Sequence, residues 1–199
     1  MADLEVRGPT LTLRYATDAD ADALFELADA EATQWFSWGP YADRDAPLEY
    51  LRALPGKRDA GTLLDFLAVH AEHGPVGVTG LSEYARRDRR ATIGTWFGRA
   101  HWGTGVNAES KALMAHVAFV TLGFHRLTAW ANTRNGRSQV SLERLGFRRE
   151  GVLRAYNTHA SGIHDVVAFG MTRDDWVASP LSAVEAAVSG DPPGVWLAP

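Results

Sequence analysis

The sequence predicts a mixed α/β domain, and three observations predict it. First, two alternating segments, Leu64–Ala71 and Val76–Tyr84, flank the turn Glu72-His73-Gly74-Pro75, which reads as a β-hairpin. Second, a further strand, Ala91–Gly98, runs into the glycine-bearing turn Trp102-Gly103-Thr104-Gly105-Val106-Asn107 and then into a long apolar helix, Ala108–Leu122. Third, the rest of the chain continues as strand, helix, strand, strand. The 199 residues are 46% hydrophobic and 22% charged, enough for one globular domain with a sizeable core.

Each element has a local reason. Leu11–Tyr15 alternates and opens as a strand. Asp18 caps a helix over Ala19–Ala30, with Ala23, Leu24 and Leu27 on one face. Trp35-Phe36-Ser37-Trp38-Gly39-Pro40 is an aromatic loop. Asp45 and Pro47 open a second helix, striped by Leu48, Leu51 and Leu54 and ended by Pro55-Gly56. After the hairpin and the glycine turn, Gly123 stands at the long helix's C-terminal stop. Arg126–Ala131 is a strand and Asn135–Leu145 a short helix closed by Gly146. Phe147–Tyr156 and Asp165–Met171 are strands that turn at Ser161-Gly162. The domain is expected over residues 9–177. Residues 178–199 are expected as an extension: a short helix, then a loose tail over Gly190–Pro199 outside the core.

Composition excludes several classes. There is no cysteine, so disulfides, thiolate metal sites and a cysteine-bound acyl intermediate are ruled out. The histidines follow no zinc-ligand spacing, and no metal is expected. A net charge of −4 gives no general attraction to nucleic acid, and the basic runs Arg86–Arg90 and Arg148-Arg149 read as solvated ends. The N-terminus lacks the pattern of a secretory signal. The longest apolar run, Leu113–Leu122, is interrupted by His116 and too short to cross a bilayer. No membrane partner and a cytoplasmic location are the expectation.

The chemistry concentrates at the glycine turn. Gly103 and Gly105 permit a tight bend and keep side chains away from a bound group. The following helix starts with free amide N–H groups and a positive dipole end, together an anion cradle most often filled by phosphate. The same turn is open to a plain strand-to-helix connection.

Three segments in order then resemble the GNAT acetyltransferases, and within them the RimJ/RimL-like branch. They are Ile93–Met114, which looks like the acetyl-CoA loop; Asn135-Gly136-Arg137-Ser138 with Leu142–Phe147, matching an N-x-x-S … L-x-x-x-G-F helix; and Arg148–Arg154 with Asp165 and Asp175-Trp176. The resemblance covers residues 9–177. It implies a GNAT fold: a mostly antiparallel sheet of six to seven strands, flanked by helices and split by a V-shaped cofactor cleft. The chain departs from the family at Ala100, where Gln or Arg is usual, and at Ala91-Thr92-Ile93, where an acid is common.

Acetyl-CoA is the implied cofactor and an amine the implied acceptor: a protein N-terminus, an amino acid or peptide, or an amine-bearing small molecule. By resemblance, the amides of Gly103, Thr104, Gly105, Val106 and Asn107 hold the pyrophosphate, with Arg99 adding charge. A backbone N–H among Trp96, Phe97 and Gly98 polarises the thioester carbonyl, and Trp102 packs over the loop. Asn135 contacts the cofactor. Ser138 is the candidate acid for the leaving thiolate, beside the alternative of a hydroxyl that bonds only backbone. The base is left between Glu83, Asp165 with its neighbour His164, and a water relay. Trp35, Phe36, Trp38 and Tyr41, with Glu83, fall where the family lines its acceptor pocket; aromatic walls suit an apolar or cationic amine. A homodimer is suggested by analogy alone. Two other readings stay open: a non-catalytic acyl-CoA-binding module, and a nucleotide- or phosphosugar-binding protein resting on the glycine turn.

Overall fold

The computed structural model describes residues 2–159 and 161–197. Nine strands form one sheet. They are β1 (Glu5–Arg7), β2 (Leu11–Arg14), β3 (Leu63–His70), β4 (Gly74–Ala85), β5 (Arg90–Phe97), β6 (Arg126–Asn132), β7 (Arg148–His159), β8 (Gly162–Thr172) and β9 (Ala187–Ser189). Their order is β7-β8-β6-β5-β4-β3-β2-β1-β9. Every pairing is antiparallel except β5 with β6. Nine strands exceed the expected six to seven because two three-residue segments, β1 and β9, add an edge.

The parallel pair shapes the site. Its register holds only at Arg90↔Arg126, Ala91↔Leu127 and Thr92↔Thr128. Beyond Thr92, β5 stays on β4 as far as Phe97, while β6 stays on β8 as far as Asn132. The two strands therefore part, and a V opens between Ile93–Phe97 and Ala129–Asn132.

Helices cover both faces: α1 (Ala21–Leu27), α2 (Ala30–Thr33), α3 (Ala46–Asp59), α4 (Val106–His116), α5 (Gly136–Arg144) and α6 (Arg173–Val177). One core lies under α4, with Ile93, Phe97, Leu113, Phe119, Leu127 and Phe169. A smaller one lies under α1 and α3, with Leu24, Leu51, Leu54, Leu67, Val78 and Trp96. Helix α4 is anchored from outside: Glu109 accepts hydrogen bonds from the Thr10 and Leu11 amides at 2.8 Å each and from Thr10 Oγ1 at 2.5 Å. Its regular turns end at His116 in a π-turn, Val117–Thr121, and Gly123 follows at φ +74°.

Three expectations are corrected. The helix expected over Ala19–Ala30 is broken in two. Ala28 leaves helical geometry at ψ 52°, and Asp29 starts α2 by accepting from the Glu31 and Ala32 amides. Helix α3 does not stop at Pro55-Gly56 but runs to Asp59. Its last turn is docked by Trp196, whose indole N–H donates to the Arg58 carbonyl at 2.9 Å. The tail is not loose: β9 pairs with β1, and Trp196 is fully buried, stacked on Tyr84 at 5.2 Å. The end of that expected tail, Ala198 and Pro199, lies outside the described residues.

Candidate active site

The cleft between β5 and β6 encloses about 870 Å³, inside the range of small-molecule and cofactor sites. One wall is β5, with Ile93 to Phe97; the other is β6 with the first turns of α5. The glycine turn closes one end. Gly103 and Gly105 stand at φ +78° and +97°, and a Cβ at either would meet nothing within 4 Å. The bend thus needs glycine for its backbone, and the space above it is open. Gly105 precedes α4 without any side-chain cap, so the first amides of α4 keep no side-chain partner among the described residues.

The open edge of β5 supplies further donors. Gly98 N–H is already taken, donating to the Val76 carbonyl at 3.0 Å. Alternate residues of a strand share an edge, so Trp96 also faces β4. That leaves Thr95 and Phe97 with their amides toward the cleft, and narrows the expected Trp96–Gly98 donor set to Phe97, joined by Thr95.

The positive charge beside the glycines comes from an unexpected residue. Arg99 is turned away into salt bridges with Glu31 (2.8 Å) and Asp29 (3.5 Å), and with Gly98 it borders a separate depression beside α1. Arg137, on the first turn of α5, lines the cleft instead, with its guanidinium 3.3 Å from the centre of the Trp102 ring. Trp102 is fixed by donating its indole N–H to the Phe97 carbonyl at 2.9 Å. The signal for Arg137 was its place between Asn135 and Ser138 at the start of a helix.

Of the other expected residues, Trp96, Asn107, Asn135 and Ser138 border the cavity. Thr104 and Val106 lie in the turn but do not border it; the Thr104 hydroxyl donates to the His101 carbonyl and Val106 is buried. Asn135 is the N-cap of α5, accepting from the Ser138 amide at 3.1 Å, so its side chain is committed to the helix. Trp35 and Phe36 border the cavity. Trp38 and Tyr41 form the layer behind, with Trp38 edge-on to Trp96 at 5.3 Å and burial raising the Tyr41 phenol to about 12.

The two expected carboxylates part company. Glu83 sits in a β4 bulge at φ +51°, where the register with β5 shifts. Its Oε2 accepts from Thr92 Oγ1 at 2.6 Å and from the Trp130 indole N–H at 3.3 Å. It therefore bridges β5 and β6 at the closed end of the V, against two cavity-lining residues but not itself bordering the cavity. Asp165 does not reach the cleft. Its Oδ1 accepts from the Ala155 amide at 2.7 Å and holds a bulge in β7, with Ala155 at φ +51°. Arg148 on the same strand as Ala155 pairs with Asp175 at 2.6 Å, not with Asp165. His164, expected beside it, is engaged by Arg134 and Ser161 at 2.9 Å each.

One functional group escaped the sequence reading. Lys111 lies on α4, borders the cavity and is only 6% exposed. Its Nζ donates to Thr95 Oγ1 at 2.5 Å and to Asn107 Oδ1 at 3.1 Å. Asn107 Nδ2 donates onward to Ser141 Oγ at 2.9 Å. Burial lowers Lys111 to about 7, and among the described residues no carboxylate pairs with it. The fold buries residues 110–115 without a break, and Lys111 is the one charge within them.

Among the described residues, no helix is long and apolar enough to cross a membrane. Comparison with known proteins agrees with this geometry. Residues 10–148 match the family described as acetyltransferase (GNAT) domain. The Uncharacterized N-acetyltransferase p20 of Bacillus licheniformis is 28% identical over 168 residues, 83% of this chain and 94% of that protein. The Uncharacterized N-acetyltransferase YoaA of Bacillus subtilis (strain 168) is 28% identical over 160 residues, 73% of this chain and 84% of its own. Among solved structures, a GCN5-related N-acetyltransferase from Brucella melitensis superposes with a TM-score of 0.78 at 22% identity, covering 87% of this chain and 80% of that one. The ribosomal-protein-S5-alanine acetyltransferase from Vibrio fischeri gives 0.72 at 19% identity, covering 86% and 98%. The last two speak for the fold alone. A match over most of the chain, on a sheet that parts where a glycine turn opens, makes this protein an acetyltransferase enzyme of the GNAT family.

Proposed function

We propose that this enzyme transfers an acetyl group from acetyl-CoA directly to an amine. The observation that carries the reading is the glycine turn: uncapped α4 amides beneath open space, with Arg137 braced on Trp102 beside them. These groups fit a diphosphate, because amide donors at a helix start and a guanidinium both favour phosphate oxygens. Gly103–Asn107 and Arg137 would hold that end of the coenzyme, and the Thr95 and Phe97 amides its extended arm. Acetyl-CoA supplies the activated acyl group. The Phe97 or Thr95 N–H stabilises the charge that builds on the acyl oxygen.

An amine reaches the acyl carbon past Trp35 and Phe36. Most amines arrive protonated at neutral pH, so a base is needed. Glu83 is the carboxylate at the closed end of the cleft, and its bonds to Thr92 and Trp130 fix its direction. The acceptor classes are a peptide or protein α-amine, an amino acid and an amine-bearing small molecule. A screen begins with peptide and protein α-amines and then takes the other two classes. The test is mass spectrometry of acetylated products, with coenzyme A release measured in parallel over the same amine panel. Transfer to one class supports the reading. Saturable acetyl-CoA binding with no transfer to any amine would favour a non-catalytic acyl-CoA-binding module.

A further inference from the structure

Lys111 is a buried amine that borders the cleft, and among the described residues no carboxylate pairs with it. It sits between the open edge of β5, through Thr95, and α5, through Asn107 and Ser141. Ser141 and Ser138 lie one turn apart on α5, and both border the cavity. A coenzyme arm running from the glycine turn along β5, as proposed above, passes over this point. Two protein acceptors leave Lys111 with one of its three N–H donors.

We propose, resting on that reading, that Lys111 delivers the proton to the coenzyme sulfur as the acyl group departs, a task for which Ser138 was the candidate in the sequence. In this step the amine nitrogen forms a bond to the acyl carbon and the C–S bond breaks. The electron pair goes to sulfur, which takes a proton from the Lys111 ammonium. Glu83 takes the amine's proton, and Lys111 regains its own from solvent. An acid works best when its pKa lies near the working pH, which Lys111 satisfies at about 7 and a serine hydroxyl does not. The charged groups on the surrounding elements are otherwise engaged or of like sign. Glu109 of α4 is held by Thr10 and Leu11, Arg14 of β2 by Asp20, Arg90 of β5 by Asp88, and Glu83 of β4 by Thr92 and Trp130. Arg137 and Arg144 of α5 border the same cavity, and His116 lies on α4 itself.

The experiment titrates the thiol of bound coenzyme A by the ultraviolet absorbance of its thiolate. It uses the wild-type chain, Lys111→Met and Ser138→Ala. While Lys111 is charged it lowers the thiol pKa, and the thiolate in turn holds the ammonium proton on, so the pair should show thiolate absorbance at a pH about one unit or more below free coenzyme A. That shift should vanish in Lys111→Met and survive in Ser138→Ala. A thiol that titrates in the wild-type complex as it does free in solution overturns the role of Lys111, and this arm needs no variant to fold. A shift that persists in Lys111→Met overturns it equally. If the wild-type chain binds no coenzyme A, the underlying reading falls with it; binding with an unshifted thiol removes Lys111 alone.

Discussion

The Arg137 guanidinium lies over Trp102, 3.3 Å from the ring centre, and Trp102 is itself tied to the backbone of β5 through Phe97. A cation held this way is ready for an anion at the neighbouring glycines without paying further ordering entropy. Arg137→Ala should weaken coenzyme A binding about tenfold, roughly 1.4 kcal/mol, while kcat at saturation changes by less than about threefold. Isothermal calorimetry on both proteins checks this. An unchanged Kd would mean that the phosphates lie elsewhere.

Glu83→Gln tests the proposed base. A carboxamide oxygen can still accept from Thr92 and Trp130, so the bulge should persist and the melting temperature should hold. Turnover should fall about 100-fold or more, the usual contribution of a positioned base, with little change in KM for acetyl-CoA. Steady-state kinetics on an identified acceptor decides it. A kcat within a few-fold of wild type would move the proton transfer to a water relay.

Asp65 gives the fold a pH dependence. Burial raises it from 3.8 to about 6, against the opposing hydrogen bond from Tyr50 Oη (2.7 Å) and the charge of Lys57. The folded chain therefore keeps this proton to higher pH than the unfolded chain. Between about pH 4 and pH 6 the unfolded state binds fewer protons, so stability falls as pH rises and levels off above that window. Asp65→Asn should flatten this slope and add about 2 kcal/mol at pH 7. Urea unfolding at pH 4.5 and at pH 7, on both proteins, would reveal a persistent slope if another group were responsible.

Trp196 fastens the C-terminal segment to α3 and to Tyr84. Trp196→Ala should cost about 3–5 kcal/mol, as for other buried large-to-small changes. For a chain of this size that corresponds to a fall in melting temperature of about 10 °C. Thermal unfolding followed by circular dichroism measures it. A loss below about 3 °C would show that the segment contributes little.

Much of the architecture was legible because it follows from local rules. Alternation and the Gly74-Pro75 turn located the hairpin, and the two glycines located the cleft. What escaped depended on distant partners. Nothing near Pro55 says that Trp196 will dock on the turn after it. Nothing near Arg99 says that Asp29 and Glu31 will claim it, leaving Arg137 to face the glycines. Asp165 and Glu83 looked alike as strand carboxylates; only the two bulges, at Ala155 and at Glu83 itself, decide that Asp165 is spent on β7 while Glu83 bonds two residues that line the cleft. Lys111 hid inside a helical repeat because one helix, read alone, does not show that every side of it is covered.

The rung Thr92↔Thr128 is where the two halves of the sheet stop being zipped together. A linear guest sliding down the fork meets its crotch there, and how far its tip travels is a matter of where the zipper halts. Trimming Thr92 to alanine would lower that stop and take away the hydroxyl that steadies Glu83, coupling the length of the tolerated acyl tail to the alignment of the proposed base. A variant with appetite for longer tails would then have to re-anchor its carboxylate by another route.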